Sequence, residues 1–253
     1  MKNNFQLDFI TQENLEFHVM QTIKEYNKSL ELIDLKKFNK NIIDPIKLLF
    51  DKAVYNKNFD EIIKLEIQRQ RDKSNNNVVG YFHQNIFKYF KNCIVPEHGW
   101  DVIFRSENKI FYVEMKNKHN TMNSSSSAKT LMKMQQHLLS SADKENSICA
   151  LVEVIAKKSQ DIPWIITLDG VKQNKNEKIR RISIDKFYGI VTGNSDSFNK
   201  LCNQLPITIK KVIDNNHELQ ANDTVIDELY KYDKELLLAL YKLAFSTYDG
   251  FNF

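Results

Sequence analysis

Three short runs rich in β-branched and aromatic residues follow one another between residues 93 and 116, namely CIVP, WDVIF and KIFYVEMK. Turn-forming residues at 96–99 and 106–108 separate these runs. Runs of this length with turn residues between them are typical of neighbouring β-strands. The sequence therefore predicts a small sheet with consecutive strands here, and the rest of the chain has to pack around it.

The segments on either side of these strands have helical hydrophobic spacing. Apolar residues three and four positions apart predict a helix over Phe59–Arg71, and SNNN at 74–77 predicts a break before the next helix. After the strands, a helix is expected over 128–139 and a central strand over 148–156. This order predicts an α/β fold with a mixed β-sheet flanked by helices and with helical additions at both ends.

The composition excludes several classes of protein. The longest apolar runs, such as Leu236–Leu240, are far shorter than the roughly 20 residues that a membrane-spanning helix needs. The first residues lack the apolar segment of a secretory signal, so we expect a cytoplasmic protein. Three scattered cysteines fit reduced thiols, and a net charge of +4 permits an anionic partner without requiring one.

The third strand run carries charged residues in an alternating pattern. Successive side chains of a strand point to opposite faces, so Glu114 and Lys116 share a face of the strand over 110–116. Asp101 lies at the start of the preceding run, and the turn at 106–108 would fold that run back beside it. The sequence therefore predicts that Asp101 and Glu114 converge at one end of a hairpin, with Lys116 next to them.

Two carboxylates and a lysine can perform metal-assisted hydrolysis of a phosphodiester. The carboxylates supply oxygen ligands for Mg²⁺, and the ammonium orients the attacking water or offsets charge on the phosphate. The acid-x-Lys pattern alone is weak, because it also occurs at 34–36 and 107–109. Surface pairs on an exposed hairpin are the alternative reading of Asp101, Glu114 and Lys116.

Glu66 is a further candidate acid. It continues the apolar stripe of the helix over Phe59–Arg71, and a carboxylate on a buried face is costly unless it is paired. A partly exposed flank of an imperfect amphipathic helix explains Glu66 equally well at this stage.

The chain also resembles a known family. Asp101, followed after twelve residues by Glu114-Met115-Lys116, resembles the PD-(D/E)xK nuclease motif, with Trp100 in place of the usual proline. The segments KKFNKNIIDPIKLLFD, GYFHQNIFKYF, EMKNKHNTMNSSSS, LVEVIAKKSQDIPW and IRRISIDKFYGIVTG resemble the Eco-forty-seven-II family of type II restriction endonucleases. The resemblance extends from near the N-terminus to about Gly193.

The resemblance implies a restriction-endonuclease-like core and a homodimer that cuts double-stranded DNA with Mg²⁺, for which Mn²⁺ can substitute. It implies a GGNCC or GGWCC type of palindrome, 5′-phosphate and 3′-hydroxyl ends, and a cognate cytosine methyltransferase as a genetic partner. Asp101 and Glu114 would be metal ligands and Lys116 the water-orienting or general-base lysine. A fourth acid often precedes such a core, but Gln84 stands at the matching position, so Glu66 is the candidate for that catalytic role.

On this interpretation the chain is a single nuclease domain over 1–253. Residues 1–76 form a helical N-terminal region, 77–193 the catalytic α/β core with the DNA-contacting elements, and 194–253 a mainly helical C-terminal region.

Candidate DNA contacts are basic, amide and hydroxyl side chains that follow the predicted strands, together with two arginines near a basic run. Arginine is the commonest reader of guanine in the major groove, and small polar side chains can approach the backbone closely. The candidates are Lys118, His119, Asn120, Asn123, Ser124, Ser125, Lys157, Lys158, Arg180 and Arg181. Solvent-exposed positions explain Arg180, Arg181, Lys157 and Lys158 about equally well without the resemblance.

Two other functions stay open from the sequence. A repair or structure-selective nuclease would share the same core without a palindromic target. A DNA-binding module without activity is less consistent with the sequence, because all three of Asp101, Glu114 and Lys116 are present.

Overall fold

The computed structural model describes residues 5–29, 33–40, 42–168, 170–214 and 223–245. The chain divides into two compact units. We call Met1–Thr22 with Val79–Asn216 the sheet unit, and Ile23–Val78 with His217–Phe253 the helical unit. The predicted assignment of 1–76, 77–193 and 194–253 to functional regions stays a prediction.

The described strands lie between residues 93 and 183, and helices precede, interrupt and follow them. The helices are α1 (Gln12–Ser29), α2 (Leu35–Phe38), α3 (Pro45–Tyr55), α4 (Phe59–Asn85), α5 (Ser124–Ser140), α6 (Ile184–Thr192), α7 (Ser197–Ile213), α8 (Val225–Tyr232) and α9 (Leu236–Phe245). The strands are β1 (Cys93–Ile94), β2 (Val102–Arg105), β3 (Ile110–Lys118), β4 (Ser147–Ile155), β5 (Asp161–Pro163), β6 (Thr167–Leu168), β7 (Val171–Lys172) and β8 (Ile179–Ser183).

Six of these strands form one mixed sheet in the order β1-β2-β3-β4-β8-β5. The β1–β2 and β2–β3 pairs are antiparallel, as connections without a crossover require, and β5 is antiparallel to β8. The β3–β4 and β4–β8 pairs are parallel. Neighbouring parallel strands need a crossover connection. Helix α5 connects β3 to β4, and a long segment that includes the β6–β7 ribbon connects β4 to β8. The predicted α/β class, with a mixed sheet and helical N- and C-terminal regions, is confirmed.

Both faces of the central strand β4 are covered. Tyr112, Cys149 and Leu151 pack with Leu131 and Met134 of α5 in one buried cluster. On β4 the remaining residues, from Ala150 to Val154, are also buried, and α6 contacts this strand. A strand buried on both faces is nearly continuously apolar, and β4 has this composition apart from Glu153.

The helical unit has a core of its own. Ile62, Ile63 and Ile67 of α4 are buried together with residues of α2, α3, α8 and α9. Asp44 begins α3 by accepting hydrogen bonds from the Ile46 and Lys47 backbone amides, with Pro45 as the first helical residue.

The predicted helix break at 74–77 is wrong, because α4 continues through it from Phe59 to Asn85. Each asparagine costs a helix interior only about 0.7 kcal/mol relative to alanine, so contacts of the apolar stripe with the core outweigh the cost. None of the helices in the described ranges is long and apolar enough to cross a membrane.

Candidate active site

The hairpin of β2 and β3 brings the predicted acids together. Val102 pairs with Val113 in antiparallel register, so Asp101 lies opposite Glu114. The Asp101 backbone amide donates to the Val113 carbonyl at 2.9 Å, and the Met115 amide donates to the Asp101 carboxylate at 2.7 Å. These two hydrogen bonds hold the Asp101 carboxylate against the middle of β3, and the predicted convergence is confirmed.

Glu114 and Lys116 share the face of β3 that the alternation predicts. The Lys116 ammonium nitrogen lies 3.8 Å from Glu114 Oε2, and the Glu114 side chain is only 13 % exposed. An isolated carboxylate at this depth would be costly, so nearby cations stabilise its charge. The alternative of a fully solvent-exposed surface pair does not describe Glu114.

A second lysine, which the sequence did not indicate, also reaches Glu114. Lys133 on α5 contacts Glu114 Oε1, donates to the Gly99 carbonyl at 2.6 Å, and lies 4.2 Å from the centre of the Trp100 ring. These contacts join α5 to β3 and to the segment leading into Asp101. No local pattern predicts them, because Lys133 and Glu114 are 19 residues apart and on different elements.

Three aromatic side chains pack together next to these residues. His137 packs against the rings of Trp100 and Tyr112, with centroid separations of 5.3 and 3.9 Å. Burial, opposed in part by Asp143, lowers the pKa of His137, so its imidazole is neutral at pH 7. Burial and a hydrogen bond to Asp143 raise the pKa of Tyr112 to about 12. Neither side chain therefore supplies charge to the site.

The two carboxylates fit a hard divalent cation. Asp101 and Glu114 offer carboxylate oxygens, the ligand type that such a cation prefers, and the contact of an ammonium group with Glu114 shows that this carboxylate attracts positive charge. No cluster of three or more His, Cys, Asp or Glu suited to a metal occurs in the described ranges. This donor set fits Mg²⁺, which keeps several waters and uses one or two carboxylates together with substrate phosphates.

Comparison with known proteins identifies the family. The model of the Eco47II restriction endonuclease family matches residues 7–214 of the chain. The chain belongs to this family. Sau96I of Staphylococcus aureus, a type II restriction enzyme, is 32% identical over 243 residues, covering 92% of this chain and 91% of that enzyme. Eco47II of Escherichia coli, also a type II restriction enzyme, is 27% identical over 212 residues, covering 82% of this chain and 88% of that enzyme.

Family membership confirms the predicted resemblance and the prediction of a restriction endonuclease. The match covers the β2–β3 hairpin, α5 and β4, and so includes every residue of the site described above. It ends at residue 214, so α8 and α9 lie beyond it.

Eight of the candidate DNA contacts lie at or after the C-terminal ends of β3 and β4, and Arg180 and Arg181 lie on β8. Strands β3 and β4 are parallel with Lys118 opposite Ile155, so 118–125 and Lys157–Lys158 leave the sheet at neighbouring strand ends. Within the first segment, the His119 amide donates to the Ile155 carbonyl at 3.0 Å. Lys118, Asn120, Ser124, Ser125, Lys157 and Lys158 are exposed.

Asn123 already has a structural role in this segment. Its side chain accepts a hydrogen bond from the Ser126 amide at 2.8 Å and so caps the N-terminus of α5. Ser124 and Ser125 form the first turn of that helix. Their contacts with DNA stay predictions.

The two candidate arginines are both held by carboxylates. Arg181 binds both oxygens of Glu153, at 2.6 and 3.0 Å, and the Glu153 side chain is only 3 % exposed. Arg180 pairs with Asp161 at 2.9 Å and with Glu177 at 2.7 Å near the surface. Glu153 was not among the predicted residues, although an acid inside the apolar run of β4 was a visible signal. DNA contacts by Arg180 and Arg181 stay predictions.

Glu66 belongs to the helical unit. Its carboxylate is buried and is bound by the Arg69 guanidinium, with the Nε at 2.6 Å, and by the Gln70 amide at 3.3 Å. The expectation that Glu66 is buried and paired is confirmed, and the exposed alternative is wrong. Its catalytic role stays a prediction. Gln84 of the sheet unit donates to the Asp101 backbone carbonyl at 3.2 Å.

Proposed function

We propose that this chain is a type II site-specific deoxyribonuclease that hydrolyses double-stranded DNA with Mg²⁺, or with Mn²⁺ in its place. Its target is a short palindrome of the GGNCC or GGWCC type, and its products carry 5′-phosphate and 3′-hydroxyl ends. The observation that supports the proposal most is the antiparallel pairing of β2 with β3, in which Asp101 lies opposite Glu114.

Asp101 and Glu114 hold the metal in this proposal. The Asp101 carboxylate keeps one oxygen on the Met115 amide, so its orientation is set before any ligand arrives. When bound, a divalent cation would neutralise charge on the scissile phosphate and favour loss of a proton from the attacking water. The two carboxylates supply the negative charge that attracts the cation to the middle of β3.

Lys116 orients the attacking water. Its ammonium lies 3.8 Å from Glu114 and is 32 % exposed, so it can donate a hydrogen bond to a water beside that carboxylate. The water oxygen forms a new bond to phosphorus, the bond from phosphorus to O3′ breaks, and O3′ takes up a proton. These steps leave the phosphate on the 5′ end of the downstream fragment.

The strand ends of β3 and β4 form the DNA side of the site. Lys118, Lys157 and Lys158 are exposed there and carry the charge that phosphates attract. Arg180 and Arg181 lie on β8, next to β4 in the sheet. A guanine contact by either arginine requires exchange of its present carboxylate partner for the base.

A palindromic target is matched by two copies of the chain related by a two-fold axis, so the proposed active form is a homodimer. A host that makes such an enzyme has to protect its own sites. A cytosine methyltransferase is therefore the proposed genetic partner, with no physical contact implied.

The proposal is tested by incubating the protein with unmethylated plasmid or phage DNA, with Mg²⁺, with Mn²⁺ and with EDTA, and sequencing the ends of the products. Discrete metal-dependent fragments that share one palindrome and carry 5′-phosphates are expected. Nicks or smears without a common sequence would indicate a repair-type nuclease instead. Intact DNA that is nevertheless bound would indicate an inactive DNA-binding module.

A further inference from the structure

The ammonium group of Lys133 has three partners that are all attractive to a cation. It donates to the Glu114 carboxylate and to the Gly99 carbonyl, the latter at 2.6 Å. It also lies over the Trp100 indole, 4.2 Å from the ring centre, where the negative face of the ring attracts positive charge. Lys133 thus contacts both Glu114 on β3 and the segment that leads into Asp101.

Glu114 consequently lies between two ammonium groups. Lys133 contacts Oε1, and Lys116 is 3.8 Å from Oε2. With 13 % of its side chain exposed, Glu114 has little room for a further cation while both lysines remain in place. A divalent cation at Oε1 would be at close range to the Lys133 charge, and like charges at such distances repel strongly near a protein surface.

We propose that Lys133 is a positioning residue that competes with the divalent cation for Glu114. Its ammonium donates to the Glu114 carboxylate in this structure. A divalent cation held by Asp101 and Glu114 would take the place of the ammonium at the carboxylate, and Lys133 would keep its contacts with Gly99 and Trp100. The inference rests on the metal-binding role of Glu114 proposed above.

The Gly99–Trp100 segment explains why this exchange needs little movement. The Gly99 carbonyl and the Trp100 ring remain as partners when the carboxylate is lost, so the ammonium stays solvated by protein groups. Trp100 stands where proline is usual in the nuclease motif, and a proline there could not provide an aromatic face.

The test is a calorimetric titration of the DNA-free protein with MnCl₂. Lys133→Met should bind Mn²⁺ about tenfold more tightly than the wild type, because one competing charge is removed. Lys133→Gln should bind Mn²⁺ equally tightly, so that the test still works if one of the two variants folds poorly. Lys133→Arg keeps the charge and should bind as the wild type does. Folding of every variant is checked by urea denaturation.

Lys129→Met is the matched control, since Lys129 is exposed on the same helix and its loss changes the net charge equally. It should leave the affinity unchanged. The proposal would be overturned if Lys129→Met bound Mn²⁺ as tightly as the Lys133 variants do. It would also be overturned if neither Lys133→Met nor Lys133→Gln bound Mn²⁺ more tightly than the wild type. Tighter binding caused by damage is not expected, because a disordered site loses affinity.

Glu114→Gln separates this inference from the proposed function. If Glu114→Gln binds Mn²⁺ as the wild type does, the metal-binding role of Glu114 fails, and the inference about Lys133 fails with it. If Glu114→Gln loses binding but Lys133→Met does not gain it, only the inference about Lys133 is wrong.

Discussion

The pair formed by Glu153 and Arg181 gives the sharpest stability prediction. Glu153 is 3 % exposed on the central strand, and Arg181 binds both of its oxygens. Breaking a buried ion pair by removing one partner costs about 3–5 kcal/mol, because the remaining charge is buried without compensation. Arg181 is itself 30 % exposed, which lets water reach part of the pair. We therefore expect Arg181→Met to lower the free energy of unfolding by about 2–3 kcal/mol.

The measurement is urea denaturation at pH 7, with the midpoint and slope compared with those of the wild type. Arg180→Met is the matched control, because the neighbouring arginine pairs with Asp161 and Glu177, which are 39 % and 63 % exposed. Arg180 is itself only 18 % exposed, but its loss leaves no buried carboxylate without a partner. Pairs with exposed carboxylates contribute about 1 kcal/mol or less, so this variant should be nearly as stable as the wild type.

A double variant distinguishes the buried charge from lost packing. Adding Glu153→Gln to Arg181→Met removes the uncompensated charge and should restore part of the lost stability. The reasoning is refuted if Arg181→Met unfolds within about 0.5 kcal/mol of the wild type, or if the double variant is the less stable of the two.

Three further predictions concern polar side chains in the sheet unit. The Tyr188 hydroxyl is buried and has no hydrogen-bond partner within the described ranges, so Tyr188→Phe should stabilise the protein by about 1 kcal/mol in urea denaturation. The Tyr112 hydroxyl donates to Asp143, so Tyr112→Phe should instead destabilise the protein by about 1 kcal/mol. A destabilised Tyr188→Phe or a stabilised Tyr112→Phe would contradict these hydrogen-bond assignments. Burial, with a smaller contribution from the charge of His18, lowers the pKa of His83 from 6.5 to about 4. Between these two pH values the His83 imidazole is therefore protonated in the unfolded chain but neutral in the folded protein. Stability should therefore decrease as the pH falls through this range, by at most about 3 kcal/mol, and a His83→Leu variant that shows the same loss would exclude His83 as its source.

The site was predictable where it depends on local alternation. The strand period places Glu114 and Lys116 on one face, and a short turn returns the chain past Asp101. Both inferences need only the backbone geometry of a hairpin. The central strand β4 was predictable for a similar reason, because a strand covered on both faces has to be apolar.

Contacts between distant elements were not predictable. Lys133 reaches Glu114 only because α5 crosses the β3–β4 pair, and its helix position carries no distinguishing pattern. The continuity of α4 through 74–77 was missed for another reason. Asparagine and serine are common at helix ends, but their small intrinsic cost does not end a helix whose first half is held by buried residues such as Ile62, Ile63 and Ile67.

The proposed catalytic roles are tested most directly by comparing two acid-x-Lys segments of one chain. Glu114→Gln and Lys116→Ala alter the segment on β3, and Glu107→Gln and Lys109→Ala alter the exposed turn before it. DNA cleavage with Mg²⁺ and equilibrium DNA binding are measured for all four variants. We predict that both β3 variants lose cleavage while retaining DNA binding, and that both turn variants cut at the wild-type rate. Wild-type cleavage by Glu114→Gln or Lys116→Ala would contradict the assignment of the active site.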